Sequence, residues 1–160
     1  MTALRTTMFL TVGSPVVYSK LRDELDAAVE EGTLSDRIID FDRAERLQYL
    51  SACIWESLRM YPPAIGLKWK LAPKGGDTIK GHYFPEGTEI STCEFAWCRS
   101  TDTFGSDANI YRPERWSEAS EKTRGRYRAT VDANFATGRH TCLGRHVAFI
   151  ELHKVIAEVS

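Results

Sequence analysis

The segment FATGRHTCLGRH, Phe135 to His146, sets a single cysteine, Cys142, between two glycines and runs straight into a helix-like stretch. In the pattern F-x-x-G-x-x-x-C-x-G, each position has a physical use if the sulfur binds a metal. A thiol at a helix start meets unpaired amides and the positive end of the dipole, which favour thiolate and temper its electron donation. Gly138 allows a backbone angle that other residues avoid, and Gly144 would let a flat, bulky group lie against the first turn. Phe135 can cover the sulfur and limit water. The plainer alternative is a small buried hydrophobe, the usual fate of an isolated cysteine.

Two other candidates accompany it. Glu56 and Arg59, in WESLRMYPP, are three apart and share one face of a helix, where taken alone they read as a solvated pair. Arg115, in YRPERW, taken alone reads as a loop arginine. The remaining cysteines, Cys53, Cys93 and Cys98, form no C-x-x-C pair, so reduced thiols are expected rather than a structural zinc site or a disulfide framework.

Composition bounds what these residues can serve. With 160 residues, 42% apolar and 27% charged, the chain can build one ordinary globular core. A formal net charge of −1 supplies no global field toward nucleic acid or acidic lipid. No apolar run is long enough for a signal sequence or a bilayer span.

The positioning elements follow from periodicity. Leu4, Met8 and Val12 predict a helix over the first residues; Ser14-Pro15 opens a second, with Val17, Leu21, Leu25, Ala28 and Val29 on one side, ending at Gly32. A third is expected from Asp42, with Glu45 as its capping box, to Tyr61-Pro62. Leu67, Trp69 and Leu71 alternate as a strand, and Tyr83-Phe84 should form a hairpin with Thr88–Cys93 across Pro85-Glu86-Gly87. Residues 99–135 read as one long irregular loop, which in a compact domain implies function. A last helix is expected from Cys142 to Val159, with Ala148, Leu152, Val155, Ile156 and Val159 on its packed side. Between Lys122 and Arg145 lie six cations, Lys122, Arg124, Arg126, Arg128, Arg139 and Arg145, against one acid, Asp132. That cluster is either a solvated loop or a docking face; no interleaved aromatics suggest nucleic acid.

In their order, WESLRMYPP, YRPERW and FATGRHTCLG resemble the haem-thiolate monooxygenases, the cytochromes P450, particularly eukaryotic microsomal members. SPVVYSKLRDELDAA and FGSDANIYRPERW extend the resemblance over nearly the whole chain. It implies a mainly α fold with a small antiparallel β-sheet, the proximal, haem-binding half of that fold. It implies haem b with Cys142 as the axial thiolate and catalytic centre, a hydrophobic small-molecule substrate, and electrons from NADPH through an NADPH-cytochrome P450 reductase docked on the basic, cysteine-side face. Glu56, Arg59 and Arg115 would form the charge network that pins the long loop under the haem. Phe135, Gly138 and Gly144 would shape the cofactor site, Lys70, His140 and Arg139 would approach the propionates, and Ile65, within Ala64–Leu67, would touch substrate.

The chain departs from the family pattern in places. His140 stands where the family usually has arginine, and Cys98 and Ser100 stand where histidine and aspartate are common. The distal helix with an acid beside a threonine, the membrane anchor and the final strands are also not in the sequence. The expectation is therefore a fragment of an enzyme, residues 1–160 of a partial domain. Its full-length parent would sit in the endoplasmic reticulum membrane. The rival expectation is a truncated, non-catalytic chain with exposed apolar faces that binds haem weakly or not at all.

Overall fold

The computed structural model describes residues 2–34, 39–66 and 68–160. Helices α1 (Thr2–Val12) and α2 (Pro15–Glu30) form where their spacing predicts them, but the buried side chains of α1 are Thr7 and Thr11 rather than the expected stripe, and Val12 and Val29 are exposed. Val17, Leu21, Leu25 and Ala28 turn inward on α2, and Gly32, at φ +69°, ends it while the amides of Thr33 and Leu34 both return to the Ala28 carbonyl at 2.9 Å.

The expected third helix is two. A single turn, α3 (Phe41–Ala44), starts at Asp40, whose carboxylate accepts from the Asp42 amide. The main helix, α4 (Gln48–Met60), begins later and has no cap of its own. Its first-turn amides, Tyr49 and Leu50, instead donate to the two carboxylate oxygens of Glu24 on α2, at 2.8 and 2.9 Å. A side chain from another helix does what the Asp42/Glu45 box was expected to do, and a carboxylate at that end also suits the dipole. Tyr61-Pro62 stops α4 as its sequence predicts.

Strand β1 (Lys70–Leu71) pairs antiparallel with β4 (Glu89–Ile90), and β2 (Asp77–Ile79) with β3 (His82–Phe84). Leu67, the first residue of the expected alternation, lies outside the described residues. The tight hairpin turns at Lys80-Gly81, both at positive φ, rather than at Pro85-Glu86-Gly87. The latter closes a Thr88 N–H to Pro85 carbonyl turn of 3.1 Å and passes the chain between the two small sheets. Turns with two positive-φ residues match the twist of paired strands; others splay them.

Residues 99–135 are not an irregular loop throughout. After α5 (Glu94–Trp97) come α6 (Thr101–Phe104), α7 (Glu114–Glu118) and the three-turn α8 (Glu121–Asp132), then a 3₁₀ turn over Ala133–Phe135. Ser120 caps α8 by accepting from the Thr123 amide. The last helix, α9 (Arg145–Val159), starts three residues later than expected. Its buried side is Phe149, Leu152, His153, Ile156 and Ala157, whereas Val159 is exposed.

Helix α4 is the centre of the fold, packed by α1, α2, α7, α8 and α9. Leu50, Ile54 and Leu58 meet Leu21, Phe104, Trp116, Val131, Leu152 and Ile156 in one apolar core. Glu56 and Arg59 sit on this same central helix, so their pairing occurs inside the protein.

Candidate functional site

Glu56 and Arg59 are both 0% exposed and Arg115 is 2% exposed. Arg59 grips the Glu56 carboxylate with two parallel bonds, Nε to Oε2 at 2.9 Å and Nη2 to Oε1 at 2.8 Å. Arg115 Nε donates to Oε1 at 2.9 Å, as does the Arg112 backbone amide, and Trp116 Nε1 donates to Oε2 at 2.9 Å. A carboxylate so fully supplied with donors is stable as an anion away from water, which an isolated one would not be.

The guanidinium edges facing away from Glu56 hold the chain between α5 and α7. Arg59 Nη1 donates to the carbonyls of Cys98 and Ala108, at 2.8 and 2.6 Å. Arg115 donates to the carbonyls of Phe104, Asp107 and Ile110 and to the Asp107 carboxylate at 3.0 Å. Arg112 Nε reaches the other Asp107 oxygen at 2.7 Å. Partial burial works against ionisation of Asp107, but the hydrogen bonds from Arg115 and Arg112 outweigh it and hold its carboxyl below the usual carboxylate range.

The cysteine segment is built differently. Residues 137–144 are all exposed, Leu143 by 98%. Gly138 has φ +62°, left-handed backbone, and starts a 3₁₀ turn to His140. The Phe135 carbonyl accepts the Cys142 amide at 2.8 Å, closing the loop across its base. Arg145 anchors the far end through Asp132, at 2.7 Å. The loop therefore holds Cys142 ahead of α9 rather than within its first turn, and the Cys142 carbonyl accepts the Arg145 amide at 3.3 Å.

Cys142 lies in the wall of a cavity of about 450 Å³, within the size range of small-molecule and cofactor sites. Phe135, Ala136, His140 and Asn134 continue that wall, and Lys68, Trp69, Lys70, Pro63 and Ala64 face it. Among the expected site residues, the structure thus brings together Cys142, Phe135, His140 and Lys70. Arg139 is not in the wall; its Nε donates to His140 Nε2 at 3.1 Å. Ile65 is exposed and also outside the wall, although Ala64 is in it. Lys68, Trp69 and Asn134 are the residues that sequence reasoning missed; Lys68 and Trp69 were visible only as part of an alternating strand.

The other thiols contrast with Cys142. Cys53 and Cys98 are buried, and burial pushes both thiols up, away from reactivity. Cys93 is exposed but starts α5, outside the cavity.

A flat metal macrocycle fits this donor set. Among the described residues no three His, Cys, Asp or Glu side chains converge to hold a bare ion. One sulfur in the wall suits a metal that a ring already carries on its other positions. At Gly144 neither the backbone, with φ −83°, nor any packed protein atom demands glycine. A Cβ there would extend to 3.9 Å from the Cys142 sulfur, over ground a planar group lying on that sulfur would need.

The cytochrome P450 family model matches residues 1–159. The chain belongs to the cytochrome P450 family. It is 40% identical over 158 residues to cytochrome P450 monooxygenase ABA1 of Pyricularia oryzae, covering 99% of this chain and 31% of that protein. It is 41% identical over 157 residues to cytochrome P450 monooxygenase aba1 of Botryotinia fuckeliana, covering 98% of this chain and again 31% of the relative. Pisatin demethylase of Fusarium vanettenii matches at 34% over 159 residues, 98% of this chain and 29% of that protein. The chain thus spans about a third of the length of these P450 relatives. Membership of the family implies haem. Among the described residues no helix is long and apolar enough to cross a membrane.

Proposed function

We propose that residues 1–160 are the haem-binding C-terminal portion of a P450 monooxygenase that inserts one oxygen atom from O₂ into an organic substrate. The observation that carries this reading is the cavity wall in which Cys142, Phe135, His140 and Lys70 converge. Haem iron with a thiolate ligand supplies the oxygen chemistry, because the sulfur's electron density favours O–O cleavage. Cys142 provides the sulfur, and Phe135 beside it limits water. With Lys68 engaged by Glu94 and the Asn134 carbonyl, Lys70 and His140 are the groups in the wall left to meet carboxylates at the edge of a porphyrin, His140 best when protonated. Glu56, Arg59 and Arg115 hold the chain between α5 and α7, without touching the cofactor themselves.

The electron donor in this reading is an NADPH-dependent reductase that meets the basic side of α8 and α9. There, Arg124 and Arg126 bond to the carbonyls of Ala119, Asp102 and Thr103, so much of the cluster is held in the fold. Arg128 remains exposed, its guanidinium 5.8 Å from the Trp55 ring. Charge at such a face acts chiefly on encounter rate. Membrane attachment in the endoplasmic reticulum belongs to the same proposal for the full-length protein.

The test is reconstitution. Adding haemin to the chain, reducing it under carbon monoxide and recording the difference spectrum should give the long-wavelength band of a thiolate-ligated haem, and Cys142→Ser should remove it. A serine variant with an unchanged band would overturn the assignment. A second reading is favoured by the exposed Phe9, Val12 and Val16 on α1 and α2, namely a non-catalytic chain whose apolar faces bind partners. No band from the unsubstituted chain, together with strong binding of an apolar dye, would favour it.

A further inference from the structure

Glu94, at the start of α5, is a carboxylate only 1% exposed. Its Oε1 lies 3.1 Å from Lys68 Nζ, and its Oε2 is buried with no hydrogen-bond partner among the described residues. A buried charge with a single ionic partner depends heavily on that partner. Lys68 meets it from a half-buried position. Its ammonium also donates to the Asn134 carbonyl at 2.8 Å, and both Lys68 and Asn134 are in the wall of the cavity that holds Cys142.

Asn134 is fixed from further directions. Trp97 Nε1 donates to its Oδ1 at 3.1 Å, and its Nδ2 donates to the Leu58 carbonyl at 3.4 Å. The next residue, Phe135, accepts the Cys142 amide. From carboxylate to sulfur-bearing residue the path runs Glu94, Lys68, Asn134, Phe135, Cys142, each step a close polar contact or a peptide bond.

We infer that Lys68 and Glu94 are a positioning pair whose ionic contact sets the base of the cysteine loop and so the placement of Cys142 at the cavity. This deepens the haem-binding reading of the same cavity and rests on it for its optical readout. Its other readout, amide exchange in the loop, does not need the cofactor.

The experiment compares the whole chain with Lys68→Arg and with the double variant Lys68→Met/Glu94→Leu, which leaves no unpaired buried charge. Hydrogen exchange is followed across residues 133–142, with haemin titrated by absorbance in parallel. In the double variant the Cys142 amide should exchange about tenfold faster and haemin should bind about tenfold more weakly, the scale of one lost net hydrogen bond. The thiolate-type band should shrink in favour of other ligation states. Lys68→Arg, which keeps the cation, should restore all three. Parental exchange in the double variant would overturn the inference, as would a faster loop with unchanged haemin affinity and spectrum. Faster exchange spread equally over α4 and α9 would mark a merely structural pair and overturn it too. Should the unsubstituted chain show no thiolate-type band, the haem reading falls and the exchange result alone decides the brace.

Discussion

The Glu56 knot and the Cys142 loop are both made of polar groups from the same chain, yet they are built on opposite principles. At Glu56 the carboxylate has five donors within the protein, on α4, α7 and the turn before it, all from buried residues except the half-buried Arg112. At Cys142 the backbone is tied at its base while residues 137–144 face outward. The knot consumes its hydrogen-bonding capacity internally and so serves stability and placement. The loop keeps its sulfur accessible, as a group that coordinates something outside the polypeptide must.

That contrast predicts a graded set of responses. Glu56→Ala leaves Arg59 buried without its anion and Arg115 with Asp107 alone, and should cost about 3–5 kcal/mol, read as a lower urea midpoint. Haem uptake should fall with it, although no group in contact with the cavity changes; a variant that kept full stability would break the comparison. Trp116→Phe removes one donor from Oε2 while keeping a smaller aromatic ring in the core, and should cost at least about 1.5–3 kcal/mol by the same titration, as for a hydrogen bond to a charged group.

Acid should act on the knot's edge at Asp107. Because the folded carboxyl is held below its ordinary value, its contribution is fully present above about pH 3.9 and is lost as pH falls through the lower folded value. Unfolding followed against pH should show this loss in the parent chain and not in Asp107→Asn. The smallest stability effect belongs to the loop. Cys142→Ser should leave unfolding within about 0.5 kcal/mol, the range of exposed substitutions, while abolishing the thiolate-type absorbance. A large destabilisation would mean that the sulfur packs as a core atom, and the two regions would not differ as described.

Legibility in the sequence followed the range of the interactions. Helix α2 could be read because Ser14-Pro15, its apolar stripe and Gly32 are local signals. Helix α8 was missed because it is polar on most sides and carries Gly125, and its capping Ser120 sits among other loop-type residues. The hairpin turn lies at Lys80-Gly81, five residues before the expected Pro85: Pro85-Gly87 looks like the stronger turn, whereas Lys80-Gly81 adopts the backbone that paired strands need. In the cavity, Phe135 and Cys142 lie in one motif, but Lys68 and Asn134 are 66 positions apart and share no pattern.

By itself the amino-acid sequence determined the order of the motifs, the glycine-bracketed thiol and the apolar stripes of α2 and α4, since these depend on residues within a few turns of one another. Only tertiary structure decided that Glu56 and Arg59 are inside, that α4 borrows Glu24 for its first turn, and that Lys68 reaches the base of the cysteine loop. The reason is physical: whether a charge is buried, and what then satisfies it, depends on side chains brought from distant positions, and no local spacing encodes them.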